Sequence, residues 1–482
     1  MAIVTRFDLL KNRRTKIVAT IGPASGTPDM CRRLIEAGVN VFRLNMSHGD
    51  HETHVTAFGN ICDAGQLLQL PVAVMADLCG PKIRTGRFEK GGIELQSGAR
   101  VTITTRPVTG TGLLIPSQYK AIVQDVMAGD RILLADGLIE LKAISVEGTE
   151  IVCDVIHGGP VGDHKGINLP GVNVSAPSMT EKDFADARFA IDLGVDFIAL
   201  SFVRRASDVE QLRRLLDEEK STIHIIAKIE KPEALENAES ILEVADGIMV
   251  ARGDLGVELP PEEVPVAQDE LITMARARGK PVIVATQMLE SMITQSRPTR
   301  AEVTDVSHAV VSGADAVMLS GETAVGQYPV EAVEIMDRVA KQTEAHLWSQ
   351  GHYGLVTANR EPPLPVWTVI ANSTSNMSRD LMARAVMVIS KSGATATTVS
   401  AARPAAPVVA ITSEVAIYQR MAMLWGVIPL LVDEAGKEKP NEVARGVAQQ
   451  LELAEPGQYV LLVRGFHEDP ELNSPSVTVI TV

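Results

Sequence analysis

The feature that most constrains the fold is a series of short apolar segments that each end in polar or charged residues. The stretch from Val244 to Leu259, VADGIMVARGDLGVEL, shows the pattern, because its apolar run stops at Arg252, Gly253 and Asp254. Near-continuous apolar runs of this length are typical of parallel β-strands that are covered on both faces. Charged residues where such strands end indicate a polar site that several strands share.

Strand segments of this kind alternate with helical segments over most of the chain before residue 350. Three precede residue 82 and five follow residue 180: 16–22, 39–47, 71–78, 195–203, 223–230, 246–254, 280–288 and 315–323. Eight β/α units predict a (β/α)₈ TIM barrel. A doubly wound open sheet is the alternative that the same segments allow.

The rhythm changes between residues 82 and 177, where short alternating runs replace long helical patterns. Asp136-Gly137 stands between two such runs and indicates a hairpin. A segment this long is no ordinary loop, so an inserted antiparallel β-barrel domain is expected. We therefore divide the chain into barrel segments 1–81 and 178–349, an inserted domain at 82–177 that forms a lid, and a C-terminal α/β domain at 350–482.

Composition excludes some classes of protein. The chain has 482 residues, 45% of them hydrophobic, and a formal net charge of −15, which argues against nucleic acid as a partner. No apolar run reaches the roughly 18 residues of a membrane span, and residues 1–16 lack the apolar core of a signal peptide. The four cysteines form no CxxC pair, so reduced thiols and a cytoplasmic location are expected.

In a TIM barrel the C-terminal ends of the strands form the active site. Nearly every strand segment here ends in polar residues: Arg43, Asn45 and Ser47; Asp77; Ser201; Lys228 and Glu230; Arg252 and Asp254; Thr286 and Gln287; Ser320 and Glu322. Their recurrence predicts that they converge on one site.

Glu230 and Asp254 end successive strands, and two carboxylates at a barrel mouth suit Mg²⁺ or Mn²⁺. Lys228 shares a strand face with Glu230 because side chains alternate along a strand. An ammonium beside a divalent cation suits phosphoryl transfer or enolate formation. Helix caps, surface ion pairs or a structural contact between Lys228 and Glu230 are the alternatives.

Further basic residues and one small-residue loop suit phosphate groups. Arg43 has the fork geometry that binds phosphate, while DLCGPKIRTG (77–86) and HKGINLPG (164–171) place Lys82, Arg84 and Lys165 where the inserted domain joins the barrel. An interdomain linker held by salt bridges is the alternative there. SKSGAT follows a strand and opens a helix, so its backbone suits phosphate or is ordinary capping. Its candidate residues are Ser390, Lys391, Ser392, Gly393 and Thr395.

Taken in order, these motifs resemble the pyruvate kinase family in its bacterial form, from about Arg14 to the last strand. The segments that carry the resemblance are TIGPAS (20–25), RLNMSHG (43–49), DLCGPKIRTG, HKGINLPG, AKIEK (227–231), MVARGDLGVE (249–258), ATQMLESMI (285–293), PTRAEVTDV (298–306) and MLSGETAVGQYP (318–329).

The resemblance implies phosphoryl transfer from phosphoenolpyruvate to ADP, giving pyruvate and ATP in glycolysis. Lys228 and Arg43 would contact the phosphoryl group, Gly253 and Thr286 the substrate carboxylate, and Glu230 and Asp254 the Mg²⁺ or Mn²⁺. Ser320 and Glu322 would stand near the proton delivered to the enolate. The nucleotide side would comprise Asn45, Met46, Ser47, His48, Arg84 and Lys165. A homotetramer is typical of the family.

Two departures from the family pattern affect ligands. The K⁺ site would comprise Asn45, Ser47, Asp77 and Leu78, but Leu78 stands where potassium-dependent members have Thr. Lys82 stands where they have Glu, so its ammonium could replace K⁺. SKSGAT matches the phosphate loop of the effector domain, whereas the final loop (464–477) lacks the glycine-rich pattern of fructose-bisphosphate-responsive members. A sugar monophosphate or AMP is the expected effector. A metal-dependent lyase or aldolase, or a non-catalytic metabolite sensor, remains the alternative function.

Overall fold

The computed structural model describes residues 13–352, 363–432, 439–466 and 474–482. In chain order its strands are β1 (Lys16–Thr20), β2 (Val41–Asn45), β3 (Ala73–Asp77), β4 (Gly92–Leu95), β5 (Arg100–Thr104), β6 (Leu114–Pro116), β7 (Arg131–Leu134), β8 (Ile139–Glu147), β9 (Glu150–His157), β10 (Gly159–Gly162), β11 (Ile167–Asn168), β12 (Phe197–Val203), β13 (His224–Ile229), β14 (Gly247–Ala251), β15 (Val282–Ala285), β16 (Ala316–Leu319), β17 (Val386–Ile389), β18 (Val408–Thr412), β19 (Val427–Leu431), β20 (Tyr459–Arg464) and β21 (Ser476–Thr481).

The helices of the described residues are α1 (Pro28–Ala37), α2 (His51–Leu68), α3 (Ile122–Asp125), α4 (Glu181–Leu193), α5 (Ala206–Glu218), α6 (Pro232–Glu236), α7 (Ala238–Val244), α8 (Arg252–Glu258), α9 (Val264–Ala277), α10 (Arg300–Ser312), α11 (Gly321–Ala324), α12 (Pro329–Ser349), α13 (Val366–Asp380), α14 (Ala394–Ala401), α15 (Val415–Arg420) and α16 (Pro440–Gln450), with 3₁₀ turns at Glu290–Ile293 and Met421–Met423. Local sequence sets several boundaries. Thr180 and Thr299 form capping boxes at the starts of α4 and α10, and left-handed Gly194 and Gly313 end the same helices.

Eight parallel strands close into a barrel in the order β1-β16-β15-β14-β13-β12-β3-β2. The first strand pairs with both β2 and β16, which closes the sheet on itself. The TIM-barrel prediction is therefore confirmed, and the alternative of a doubly wound open sheet is wrong.

The barrel interior is apolar near the N-terminal ends of the strands and polar near their C-terminal ends. Because side chains alternate along a strand, every second residue points inward. The inward positions nearest the strand starts hold a buried apolar cluster that includes Val41, Met75, Ile226 and Met249. The polar residues of the strand ends lie two or four residues further along the same inward faces. The alternation of side chains along a strand therefore places them at the C-terminal mouth of the barrel.

The inserted segment is rich in β-structure. A six-stranded sheet has the order β11-β7-β8-β9-β5-β6, with β5 and β6 as a parallel pair, and β4 and β10 form a second, two-stranded sheet. The hairpin predicted at Asp136-Gly137 joins β7 to β8, and both residues have positive φ. A core of its own, with Ile103, Ile132 and Leu141 among its members, packs inside these strands.

A five-stranded sheet of order β19-β18-β17-β20-β21 forms the C-terminal α/β domain. It packs under the barrel, where Ala422 and Met423 join the apolar cluster of the barrel interior. Lys16 donates to the Val427 carbonyl at 2.7 Å, and Arg403 pairs with Asp315 at 2.9 Å. Among the helices described here, none is both long and apolar enough to cross a membrane.

Candidate active site

The polar strand ends meet because their strands are neighbours in the barrel. The strands β2, β3, β12 and β13 are consecutive in the sheet and bring Arg43, Asp77, Ser201 and Lys228 side by side. The register places Asn45 of β2 opposite Asp77 of β3. Residues separated by more than 180 positions in the chain thus form one cluster.

Lys228 is the centre of this cluster. Its Nζ lies 2.7 Å from Glu230 Oε1, 3.3 Å from Asp77 Oδ1 and 2.7 Å from the Ser201 hydroxyl. Burial lowers the pKa of the ammonium, but the carboxylates of Asp77 and Glu230 outweigh it and raise the pKa above its usual range. The side chain is therefore a fixed positive charge at the barrel mouth.

Asp77 orients two cations. Its Oδ2 accepts a hydrogen bond from Arg43 Nε at 2.6 Å, and a second Arg43 nitrogen donates to Thr20 Oγ1 at 3.1 Å. Burial raises the pKa of Asp77, yet Arg43 and Lys228 hold that pKa below its usual range. Asp77 is thus ionised and fixes the direction of both basic side chains.

Glu230 and Asp254 offer oxygen ligands for a divalent cation. Glu230 Oε2 accepts from the Phe202 amide at 3.0 Å. Burial raises the pKa of Glu230, and the neighbouring charge of Asp254 raises it further against the opposing effect of Lys228. A hard divalent cation would neutralise the repulsion between these two carboxylates, and their oxygen atoms are the ligands that Mg²⁺ or Mn²⁺ prefers. No group of three or more acidic, His or Cys side chains in the described ranges could hold a metal, so other oxygen ligands would complete the shell.

A strained turn after β15 positions Thr286. Both Thr286 and Gln287 have positive φ, at 68° and 54°. The Gly253 amide donates to Thr286 Oγ1 at 2.6 Å, and Arg252 donates to the Thr286 carbonyl at 2.8 Å. Arg252 also pairs with Asp305 at 2.6 Å. Arg252 therefore holds the turn at Thr286 in place. This contact gives a structural role to the arginine of the charged triplet that follows β14.

Ser320 and Glu322 form a second buried corner of the mouth. Glu322 accepts from the amides of Leu289 and Ser320 at 3.0 and 2.8 Å. Burial raises the pKa of Glu322. The Ser320 hydroxyl is buried and has no hydrogen-bond partner among the described residues. A buried hydroxyl without a partner is costly, so this one suits contact with a bound molecule or water.

The loop after β2 contains the residues predicted to face the nucleotide. Asn45 Oδ1 accepts from the Ser47 amide at 3.1 Å, and His48 is exposed. Met46 is buried, and its carbonyl accepts from Lys182 Nζ at 2.8 Å. The Met46 amide donates to the Asp77 carbonyl at 3.0 Å, so the side chain and the backbone of Met46 are both engaged within the protein and neither is free to contact a nucleotide.

The structure brings together Arg84 and Lys165 on the entry and return segments of the inserted domain. Arg84 pairs with Gly166, and the Lys165 amide donates to Thr85. Lys82 does not reach the proposed K⁺ ligands. Across residues 13–352 it forms no ion pair with Asp77, and its side chain instead lies beside Gly166.

SKSGAT lies in the C-terminal domain, away from the barrel mouth. Ser390 Oγ accepts from the left-handed Gly393 at 3.0 Å, and Ser392 Oγ accepts from the first helical amide of α14 at 3.4 Å. The loop is thus ordered by its own side chains. Residues 467–473 of the final loop lie outside the described residues.

Three features of the site were not assigned by sequence reasoning. Ser201 bridges Lys228 and the Leu78 carbonyl, Thr20 holds Arg43, and Arg252 anchors Thr286. Ser201 and Arg252 were among the polar strand ends predicted to converge, and Thr20, the last residue of β1, could have been found by the same signal. Their individual contacts depend on the barrel order, which the sequence does not state.

The closed barrel, with a buried lysine, an arginine and carboxylates at its mouth, is typical of a TIM-barrel enzyme that acts on an anionic substrate. Comparison with known proteins gives the particular family. The family model "Pyruvate kinase, barrel domain" matches residues 12–333, and "Pyruvate kinase, alpha/beta domain" matches residues 368–477. The chain belongs to the pyruvate kinase family.

Relatives over nearly the whole length support the same assignment. A pyruvate kinase of Geobacillus stearothermophilus is 46% identical over 94% of this chain and 78% of its own length. One from Mycobacterium tuberculosis is 44% identical over 94% of this chain and 95% of its own. The crystal structure of a pyruvate kinase from Cryptosporidium parvum has a TM-score of 0.90 and 37% identity, and covers 98% of this chain and 97% of that one.

Proposed function

We propose that this enzyme transfers the phosphoryl group of phosphoenolpyruvate to ADP and releases pyruvate and ATP in glycolysis. The observation that carries the proposal is the buried Lys228 ammonium among Asp77, Glu230 and Ser201 at the barrel mouth. Phosphoryl transfer needs positioning and charge neutralisation rather than a covalent protein intermediate. This cluster supplies both.

Each residue of the cluster has a proposed role. Lys228 neutralises the transferring phosphoryl group and then the enolate oxygen, and Arg43 binds a second phosphoryl oxygen. The Gly253 amide donates to the Thr286 hydroxyl and that hydroxyl to the Ala285 carbonyl, and in this proposal both donors exchange these bonds for bonds to the substrate carboxylate. The P–O bond to the enolate breaks as a bond from phosphorus to the ADP oxygen forms, and a proton then adds to the enolate carbon.

Glu230 and Asp254 are the proposed ligands of Mg²⁺ or Mn²⁺. The ion, when bound, neutralises negative charge on substrate oxygens. Ser320 and Glu322 are proposed to deliver the proton, since the Ser320 hydroxyl is buried without a partner in the described chain and burial raises the pKa of Glu322.

The nucleotide is proposed to lie between the loop Asn45–His48 and the inserted domain, with Arg84 and Lys165 on its phosphates. Residues 82–177 act in this proposal as a lid over the two parts of the barrel, 1–81 and 178–349. The closed lid excludes water, which would otherwise compete with ADP for the phosphoryl group.

We propose that the enzyme works without K⁺ because Lys82 supplies a positive charge near Asn45, Ser47, Asp77 and Leu78. The Lys82 side chain lies beside Gly166 on the return segment of the lid, so in this proposal its charge acts on the site without a direct ion pair to Asp77. Activity in K⁺-free buffer is expected for the native enzyme, and K⁺ stimulation is expected for Lys82→Glu. Equal stimulation of both proteins would refute the substitution of K⁺ by Lys82.

A coupled assay for pyruvate, with ADP, Mg²⁺ and K⁺ each omitted in turn, tests the whole reaction. Loss of phosphoenolpyruvate that needs ADP separates a kinase from a metal-dependent lyase. Turnover of any kind removes the non-catalytic sensor from consideration.

The C-terminal domain (350–482) is proposed to bind a phosphorylated effector, a sugar monophosphate or AMP, at Ser390–Gly393 and Thr395. Support comes from the position of the loop at the start of α14, because the amides at a helix N-terminus suit a phosphate group. Binding measurements with a panel of phosphorylated metabolites test this, and no response to any of them refutes it. A cytoplasmic homotetramer is the proposed assembly, which sedimentation would measure.

A further inference from the structure

A buried polar cluster joins the inserted domain to the barrel beside the proposed metal ligands. Asn168, the last residue of β11, donates its amide to Glu258 Oε1 at 3.1 Å. Lys231 pairs with the same carboxylate oxygen. The Glu258 side chain is only 1% exposed, so these two hydrogen-bond partners offset the cost of removing its carboxylate oxygen from water.

This contact stands out in the interface between the two domains. Of the hydrogen bonds formed by the described residues, it is the one that connects a side chain of the inserted domain (82–177) to a barrel side chain. Beside it, the turn at Gly137 rests against α8, since a methyl group at Gly137 would lie 3.6 Å from Val257. The inserted domain therefore touches the last turn of α8 at two places.

The cluster is connected to both acidic residues of the mouth. Glu258 ends α8, and Asp254 lies four residues earlier, on the same face of that helix. Lys231 directly follows Glu230 in the chain. A cavity of about 40 Å³ between the domains has Asn168, Lys231 and Asp254 in its wall. The Asn168–Glu258 contact is therefore one helical turn from Asp254, and its partner Lys231 is one peptide bond from Glu230.

We propose that Asn168, Glu258 and Lys231 form a latch that holds the lid on the two segments carrying Glu230 and Asp254. They act as positioning residues, and the inference rests on the proposed function of the lid. When the lid moves away, Glu258 loses the Asn168 amide, so the latch favours the closed state. Because Arg84 and Lys165 are on the lid, the closed fraction sets the apparent affinity for ADP.

The first test replaces Asn168 by Ala and compares it with Asn173→Ala. Asn173 is an exposed residue of the same return segment and forms no side-chain hydrogen bond within the described chain. Asn168→Ala is expected to raise the KM for ADP about 5- to 20-fold and the KM for phosphoenolpyruvate less than about twofold. Asn173→Ala is expected to match the native enzyme. Equal KM values for ADP in the two variants would overturn the latch.

A second test changes the charges at Asn168 and Glu258 in turn. It distinguishes a direct contact between the two side chains from a general structural role of Asn168. Asn168→Asp sets two carboxylates against each other and is expected to raise the KM for ADP more than Asn168→Ala does. Adding Glu258→Gln restores one donor and one acceptor, so the double variant is expected to return to within about threefold of the native KM. A double variant no better than Asn168→Asp would contradict the proposal.

Hydrogen exchange without substrate tests the latch independently of turnover. Amides of Ile167–Asn168 and of Arg252–Glu258 are expected to exchange faster in Asn168→Ala, while those of β16 stay unchanged. Unchanged exchange in both segments refutes the latch even if the enzyme is active. Absence of ADP-dependent pyruvate formation in the native enzyme instead refutes the proposed function.

Discussion

Replacing Lys228 by Met removes the fixed positive charge at the centre of the site while keeping most of the side-chain volume. The ammonium now meets a carboxylate oxygen of Glu230 at 2.7 Å. A phosphoryl oxygen at the same distance gains about 6 kcal/mol at an effective dielectric constant of about 20. Since about 1.4 kcal/mol corresponds to a tenfold change in rate, this attraction sets a ceiling of between four and five powers of ten.

The expected loss of kcat is therefore about 10³- to 10⁴-fold, within the range seen when one transition-state cation is removed. The assay is the coupled pyruvate measurement at saturating ADP and Mg²⁺. Lys341→Met is the matched control, because Lys341 forms a surface ion pair with Asp337 on α12, 2.8 Å long, far from the mouth.

Folding of the variant is measured separately. Removal of the ammonium leaves the buried Glu230 carboxylate without its partner, so a loss of stability of about 3–5 kcal/mol is expected. A folded Lys228→Met enzyme that kept more than about a tenth of the native kcat would refute the role given to the ammonium.

Two further predictions concern Asp196 and Arg252. Burial raises the pKa of Asp196 to about 7, above its value in the unfolded chain. Protonated Asp196 therefore stabilises the folded state fully at a pH below the unfolded pKa. The free energy of unfolding falls by up to about 4 kcal/mol as the pH rises through 7. Asp196→Asn keeps the acceptor for the Val74 amide, which lies 2.8 Å away. The variant is expected to have a higher Tm than the native protein at pH 8, and the difference in Tm is expected to be smaller at pH 5. A difference in Tm that does not change with pH would contradict this. In Arg252→Lys the single ammonium cannot bind Asp305 and the Thr286 carbonyl at once. We expect kcat/KM to fall about 10- to 100-fold and Tm to decrease. A variant with native kinetics would show that Arg252 is not needed to hold the turn at Thr286.

Several parts of the fold followed from the sequence because their signals are local. Apolar runs bounded by polar residues predicted the barrel strands, and Asp136-Gly137 predicted the hairpin between β7 and β8. The strand period of two also placed Lys228 and Glu230 on one face, where they are 2.7 Å apart. Each of these inferences needs only neighbouring residues, for which backbone geometry fixes the relation.

The pairing of strands inside the inserted domain was harder to predict. The parallel pair of β5 and β6 breaks an otherwise antiparallel pattern, and residues between the two strands give no local sign of it. The position of Lys82 is a similar case. Its sequence distance from Asp77 is short, yet the backbone between them turns onto the lid, so the side chain lies beside Gly166.

The sequence by itself determined which residues could carry charge to the strand ends and that the strands number enough to form a barrel. Only the tertiary structure decided which of these residues are in contact: Ser201 with Lys228, Arg252 with Thr286, and Asn168 with Glu258. The reason is physical. Alternation along a strand is set by bond geometry within a few residues, whereas contacts between strands and domains depend on closure of the sheet, which sums weak packing forces over the whole chain.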